Sequence, residues 1–191
     1  MLKIIGKFIL HLAGYKIIDT TPKGVQNYQK AVMIAAPHTS NWDYVYTMAA
    51  LYALDVPIKY LGKASLFKFP LGFLIKKLGG IPVKREQKNN MVNDMAKMIN
   101  ESMEQIILII PAEGTRSYSK EWKSGFYHIA QTAGVPIILG FLDFDKKEVG
   151  FLDEFNPTGN YENDLKIIQK KYVGITPKYP ELNSLRDVKF D

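Results

Sequence analysis

Ala31-Val32-Met33-Ile34-Ala35-Ala36 runs into Pro37-His38-Thr39-Ser40 and then into Asn41-Trp42-Asp43-Tyr44-Val45-Tyr46. The apolar run is too short for an ordinary helix and reads as a buried strand. Residues 41 to 54 carry helical spacing through Trp42, Val45, Tyr46, Ala49, Ala50, Tyr52 and Ala53, with Ser40 or Asn41 placed to act as N-cap. A buried strand feeding a helix through a short turn is the building unit of a mainly parallel sheet. Ligands of such sheets bind beyond the carboxyl ends of the strands, and His38 falls in that turn.

The same alternation continues outward. Strands are expected at 31–36, 57–61, 81–84, 106–111 and 136–142, and helices near 41–54, 71–78, 89–103, 123–133 and 162–172. Residues 147–151 read as a late strand. Residues 174–191, with Pro177, Pro180 and mixed charge, read as a tail that wraps the surface. The chain shows no internal repeat and no low-complexity linker. At 191 residues and 47% apolar content it can bury one core. The expected fold is therefore a single α/β domain, 1–191, with a mainly parallel sheet flanked by helices.

His38 is followed five positions later by Asp43. On a helix two such residues would lie about 140° apart, since each residue turns about 100°, so the histidine must precede the helix. Asp43 then sits in the first turn, favoured by the helix dipole, and its carboxylate can reach back to one imidazole nitrogen. The other nitrogen is left to face a substrate. This is a general base with its orienting acid, and a substrate hydroxyl supplies the nucleophile. A histidine beside a helix cap with a solvated aspartate fits the same spacing. His128, beside Phe126 and Ile129, reads as a helix histidine and not as a second base.

A second constellation follows the apolar run Ile106–Ile110, in Pro111-Ala112-Glu113-Gly114-Thr115-Arg116-Ser117. It places a glycine, a hydroxyl and a guanidinium at a strand's carboxyl end. Arginine matches phosphate oxygens two at a time, Gly114 permits close backbone approach, and Thr115 can add a donor. A loop arginine paired with Glu113 is the alternative that fits the same residues.

Composition removes several alternatives. The absence of cysteine excludes thiol catalysis and disulfides. No Gly-x-Ser-x-Gly occurs, which disfavours a serine hydrolase. Three scattered histidines without cysteine give no dedicated zinc site, so no metal is expected. The net charge of +6 could serve nucleic acid. There is no recognition helix, RNA-binding signature or zinc finger, so no nucleic-acid partner is expected.

No run approaches the about 20 apolar residues that a spanning helix needs, and no cleavage site follows the short apolar start. A cytoplasmic protein, peripheral on the inner membrane face, is expected. Residues 1–13 read as an amphipathic helix: Lys3, Lys7 and His11 share one face, and Ile4, Ile5, Phe8, Ile9 and Leu12 share the other. Such a helix can lie in a membrane interface, or pack on the domain with its lysines in water. In residues 63–77, Leu66, Phe67, Phe69, Leu71, Phe73, Leu74 and Ile75 are interleaved with Lys68, Lys76 and Lys77. That mixture suits acyl tails and anionic headgroups.

At these motifs the chain resembles the glycerolipid acyltransferase superfamily, whose members include the 1-acylglycerol-3-phosphate acyltransferases. His38-Thr39-Ser40-Asn41-Trp42-Asp43 is similar to the first motif of that family and Pro111–Ser117 to its third. Gly79-Gly80-Ile81-Pro82-Val83-Lys84-Arg85 is similar to the second and Gly134-Val135-Pro136-Ile137-Ile138 to the fourth, with Trp122-Lys123-Ser124-Gly125-Phe126 between the third and fourth. The resemblance covers about residues 30–142. It implies His38 as general base, Asp43 as its orienter, Glu113 and Gly114 shaping the site, and Thr115, Arg116 and Arg85 at an acceptor phosphate. Lys63 stands where relatives often carry a basic residue. Relatives that make phosphatidic acid commonly place an aromatic where Ile81-Pro82 stand, so this chain departs from their pattern where acceptor choice is concerned.

The implied reaction moves an acyl group from a thioester, acyl-CoA or acyl carrier protein, to the hydroxyl of a lyso-lipid, with no cofactor beyond that co-substrate. The implied partners are the lyso-lipid, the thioester donor and the membrane surface. Acylation of an amino-acid lipid and a non-catalytic peripheral membrane protein are the competing readings.

Overall fold

The computed structural model describes residues 1–83 and 90–188. Among these, seven strands form one sheet: β1 (Lys16–Asp19), β2 (Lys30–Ala35), β3 (Ile58–Lys63), β4 (Gly80–Val83), β5 (Ile106–Pro111), β6 (Ile137–Asp143) and β7 (Glu148–Phe155). Their order across the sheet is β1-β7-β6-β2-β5-β3-β4, with β6 and β7 antiparallel and the other neighbours parallel. The helices are α1 (Leu2–Ala13), α2 (Asn41–Ala53), α3 (Leu71–Lys77), α4 (Met91–Glu101), α5 (Gly125–Ala133) and α6 (Tyr161–Lys170). The expected α/β domain with a mainly parallel sheet is what the chain forms.

Strand β2 lies at the centre and is covered on both faces, which is why its sequence is continuously apolar. Alternate residues point to opposite faces of a strand. Val32 and Ile34 join Leu108, Phe126, Ile129 and Ile168 in one core, while Ala31 and Met33 join Met48, Leu51, Ile107 and Ile138 in another. Helices α4, α5 and α6 contribute to the first core and α2 to the second. The central register pairs Ala35 with Pro111 of β5 and with Gly140 of β6. The segments leaving β2 and β5 therefore emerge side by side at one end of the sheet.

Helix α1 packs on α2 through a narrow seam. Gly6 and Leu10 are buried, and a Cβ at Gly6 would collide with the backbone of Ala49 and Ala53, so only glycine allows the two helices to approach this closely. The wider apolar face stays uncovered: Ile4, Phe8 and Leu12 keep 74%, 60% and 69% of their surface in water. The packing expected of residues 1–13 on the domain is present along the seam with α2. The helix is docked along one line and open along another.

Strand β1 was not expected from the sequence. It is four residues long and only half buried, and it is defined by parallel pairing with β7, from Lys16 with Glu148 to Asp19 with Phe151. The late strand expected at 147–151 is longer, reaching Phe155, because antiparallel pairing with β6 continues to Ile137 opposite Phe155.

Asp164, at the start of α6, ties three segments together. It is buried and accepts hydrogen bonds from Tyr127 Oη at 2.7 Å, Thr158 N at 2.7 Å and Thr158 Oγ1 at 2.8 Å. Burial alone would raise its pKa; the bonds from Thr158 and Tyr127 outweigh that and hold it below the usual carboxylate range. Asp164→Asn should lower unfolding stability by about 2–3 kcal/mol at neutral pH, because an amide cannot accept all three bonds. A group whose folded pKa is depressed stabilises above its unfolded value of about 3.9 and loses that contribution as pH falls through the folded value. The gap between wild type and variant in urea melts should therefore close below about pH 4. A gap that stays constant there would show that Asp164 acts by packing alone.

Candidate active site

The turn after β2 presents His38, and α2 begins three residues later. Ser40 is the N-cap and its hydroxyl accepts from Trp42 N at 3.1 Å, while the Asp43 side chain returns a bond to the Ser40 amide, a capping box. Asp43 Oδ2 accepts from Thr39 N and Ser40 N, each at 2.8 Å, and lies 3.1 Å from His38 Nδ1. One carboxylate oxygen thus caps the helix and holds the ring. Both side chains are largely shielded, 15% exposed for His38 and 7% for Asp43, so the pairing is not diluted by water as a surface pair would be. Nδ1 is the nitrogen so engaged, which leaves the ring's second nitrogen clear of Asp43.

Glu113 follows β5 and lies behind the same turn. It is buried, and its Oε1 accepts from the His38 amide at 3.2 Å and from Ser184 Oγ at 3.1 Å. Burial pushes its carboxyl pKa up, against the bonds from its own amide, the His38 amide and Ser184. Glu113 Oε2 and Asp43 Oδ1 have no hydrogen-bond partner among the described residues. Gly114 adopts the left-handed region, φ 66°, which turns the loop immediately after Glu113.

Arg116 is exposed on that loop, and its Nη1 donates to Asn41 Oδ1 at the first residue of α2. The guanidinium therefore stands at a helix N-terminus, where the backbone dipole also favours an anion. A cavity of about 260 Å³ lined by Thr39, Ser40, Asn41, Trp42, Arg116 and Tyr179 opens here. The Lys178 ammonium lies 5.0 Å from the centre of the Trp42 ring, adding a second cation beside it. A cavity of about 320 Å³ lined by Tyr52, Val56, Ile58, Gly79 and Gln105 lies at the amino ends of β3 and β5. That is the opposite edge of the sheet from His38, and it holds none of these groups.

The structure brings together His38, Asp43, Glu113 and Gly114, with Arg116 reaching the start of the same helix. Thr115 is exposed, and its hydroxyl accepts the Ser117 amide at 3.2 Å, a local turn bond. Lys63 ends β3, its backbone paired with Val83, at the same sheet edge as Pro111. Arg85 lies outside the described residues. His128 is an exposed helix residue stacked on Tyr161. Tyr179 and Ser184, both at the site, were not identified from the sequence. They come from the C-terminal tail, which has no periodic pattern to read.

The carboxyl edge of this α/β sheet thus carries a paired histidine and aspartate with an arginine beside them. A family model described as Acyltransferase matches residues 16–138, and the chain belongs to that family. The 1-acyl-sn-glycerol-3-phosphate acyltransferase of Salmonella typhimurium is 33% identical over 132 residues, 66% of this chain and 52% of that protein. The Escherichia coli protein of the same name is 32% identical over the same extent, and that of Haemophilus influenzae 31% identical over 134 residues, 66% of this chain and 53% of that protein. The chain spans about half the length of the curated relatives it matches.

Proposed function

We propose that this acyltransferase moves a fatty acyl group from acyl-CoA or acyl carrier protein to the free hydroxyl of 1-acylglycerol-3-phosphate, giving phosphatidic acid. The observation that carries the reading is the 3.1 Å contact between His38 Nδ1 and Asp43 Oδ2 with Arg116 at the start of the same helix. Asp43 fixes the imidazole so that its second nitrogen takes the hydroxyl proton. The alkoxide attacks the thioester carbonyl, and the tetrahedral intermediate collapses as the carbon–sulfur bond breaks. The imidazolium returns its proton to the departing thiolate, leaving His38 ready for another turn. The thioester is already activated, so the chain's own task is to position the acceptor and hold the proton. Arg116, the α2 N-terminus and Lys178 bind the acceptor phosphate. The names of the relatives support this acceptor class.

Reaction at a membrane surface suits a substrate that lives there. No helix among the described residues is long and apolar enough to cross a bilayer. Exposed Ile4, Phe8 and Leu12 on α1, and Phe69 and Phe73 around the start of α3, supply apolar contact beside lysines. Purified protein incubated with labelled acyl-CoA and a panel of lyso-lipids, with mass spectrometry of products, tests the reaction. Phosphatidic acid should form fastest; an acylated amino-acid lipid in its place would move the acceptor to the competing class. In the same preparation, sedimentation with anionic vesicles should be only partly reversed by high salt, because salt screens the lysines and not the apolar face. Removal of residues 1–13 should weaken it. Absence of binding to vesicles of any composition would point to a soluble acceptor.

A further inference from the structure

The C-terminal segment lies wholly outside the residues that match the family, 16–138, yet it touches the His38 turn directly at one point and reaches it through Glu113 at another. The Tyr179 amide donates to Thr39 Oγ1 at 3.3 Å. Five residues on, the buried Ser184 hydroxyl sits in a relay: Trp122 Nε1 donates to it at 2.8 Å, and it donates to Glu113 Oε1 at 3.1 Å. The same Glu113 oxygen accepts the His38 amide. Trp122, Ser184 and Glu113 are all buried, so water offers no easy substitute for any member.

We propose that Ser184 is a positioning residue for acyl transfer, holding the Glu113 carboxyl in the one orientation that anchors the His38 backbone. This rests on His38 being the base. Asp43 fixes the imidazole ring, but ring and backbone are fixed independently. Asp43 also holds the Thr39 and Ser40 amides, but the His38 amide is held from the other side, and without that contact the base can still shift with its end of the turn away from the acceptor hydroxyl. Glu113 supplies that contact, and its carboxyl has two oxygens of which only Oε1 is engaged; Oε2 has no partner among the described residues. Without the Ser184 bond Oε1 keeps the 3.2 Å bond from the His38 amide but loses its side-chain partner, and the carboxyl is held less firmly in that orientation. Because the relay lies behind the turn and contacts no substrate cavity, it affects the rate step and not the binding of either substrate.

The test compares wild type, Ser184→Ala, Ser184→Thr and His38→Ala. Two measurements are made: steady-state transfer from acyl-CoA to lysophosphatidic acid, and amide hydrogen exchange followed by NMR. Ser184→Ala should lower kcat about tenfold, the rate equivalent of one lost hydrogen bond to an ionisable group, with both KM values within about twofold of wild type. Protection of the His38 amide should fall while that of Leu108 in β5 is unchanged. Ser184→Thr, which keeps the hydroxyl, should restore both. Wild-type kcat and unchanged His38 protection in Ser184→Ala would overturn the proposal. So would a general loss of protection, which would make Ser184 a fold residue only. If wild type and His38→Ala transfer at the same rate while the His38 amide still loses protection in Ser184→Ala, the anchoring stands and the assignment of His38 as base fails.

Discussion

Alanine at position 38 should reduce transfer roughly 100- to 10,000-fold, the usual contribution of a positioned general base, with the melting temperature nearly unchanged. The fold does not depend on the ring, because the bonds that hold the turn run through other atoms. Asp43 Oδ2 caps α2 through the Thr39 and Ser40 amides, and Glu113 holds the His38 backbone amide. Removing the imidazole leaves all three in place. Asp43→Asn should cost less. Its amide oxygen can still accept the two backbone amides, so the cap survives, while the negative charge that steadies the imidazolium is lost. A His38→Ala enzyme retaining more than about a tenth of wild-type turnover would mean that another group takes the proton.

The central half of the architecture was legible because its signals are local. Residues 31–36 and 106–111 are buried on both faces, and their unbroken apolar runs say so. Ser40 and Asp43 form a capping box within four residues of chain, so the geometry of the His38–Asp43 pair could be derived from spacing and helix pitch. What escaped was held together by distant partners. Strand β1 has too little apolar content to declare itself and exists because β7, more than 130 residues away, offers it an edge. Ser184 stands in a polar, proline-flanked tail where no periodicity separates a buried serine from a solvated one. Its role depends on Trp122 and Glu113, which the fold alone brings within reach. The amphipathic pattern of residues 2–12 gave the helix but not the line of contact. Gly6 and Leu10 make the seam with α2, and neither belongs to the apolar stripe that the sequence displays.

Arg116→Lys should raise KM for lysophosphatidic acid roughly 10- to 150-fold while leaving KM for the acyl donor near its wild-type value. The range follows from the loss of a charge-assisted contact of about 1.5–3 kcal/mol. Lysine keeps the charge, so any long-range attraction of the anion survives. What it cannot reproduce is the planar pair of donors that meets two phosphate oxygens at once. The surroundings make the geometry matter. Arg116 is steadied by Asn41 Oδ1 at the first residue of α2, so one edge of the guanidinium is engaged and its other donors are directed by that contact. A lysine in its place has no planar edge to pin and would swing in the open loop, since residues 114–118 are all exposed. Lys178, beside Trp42, would still offer a cation, which sets a floor under the loss and argues against complete inactivation. A change confined to the donor KM would place the phosphates of the thioester carrier at Arg116. No change in either KM would mean that Arg116, held by Asn41, serves the loop and the fold, with the acceptor phosphate bound elsewhere.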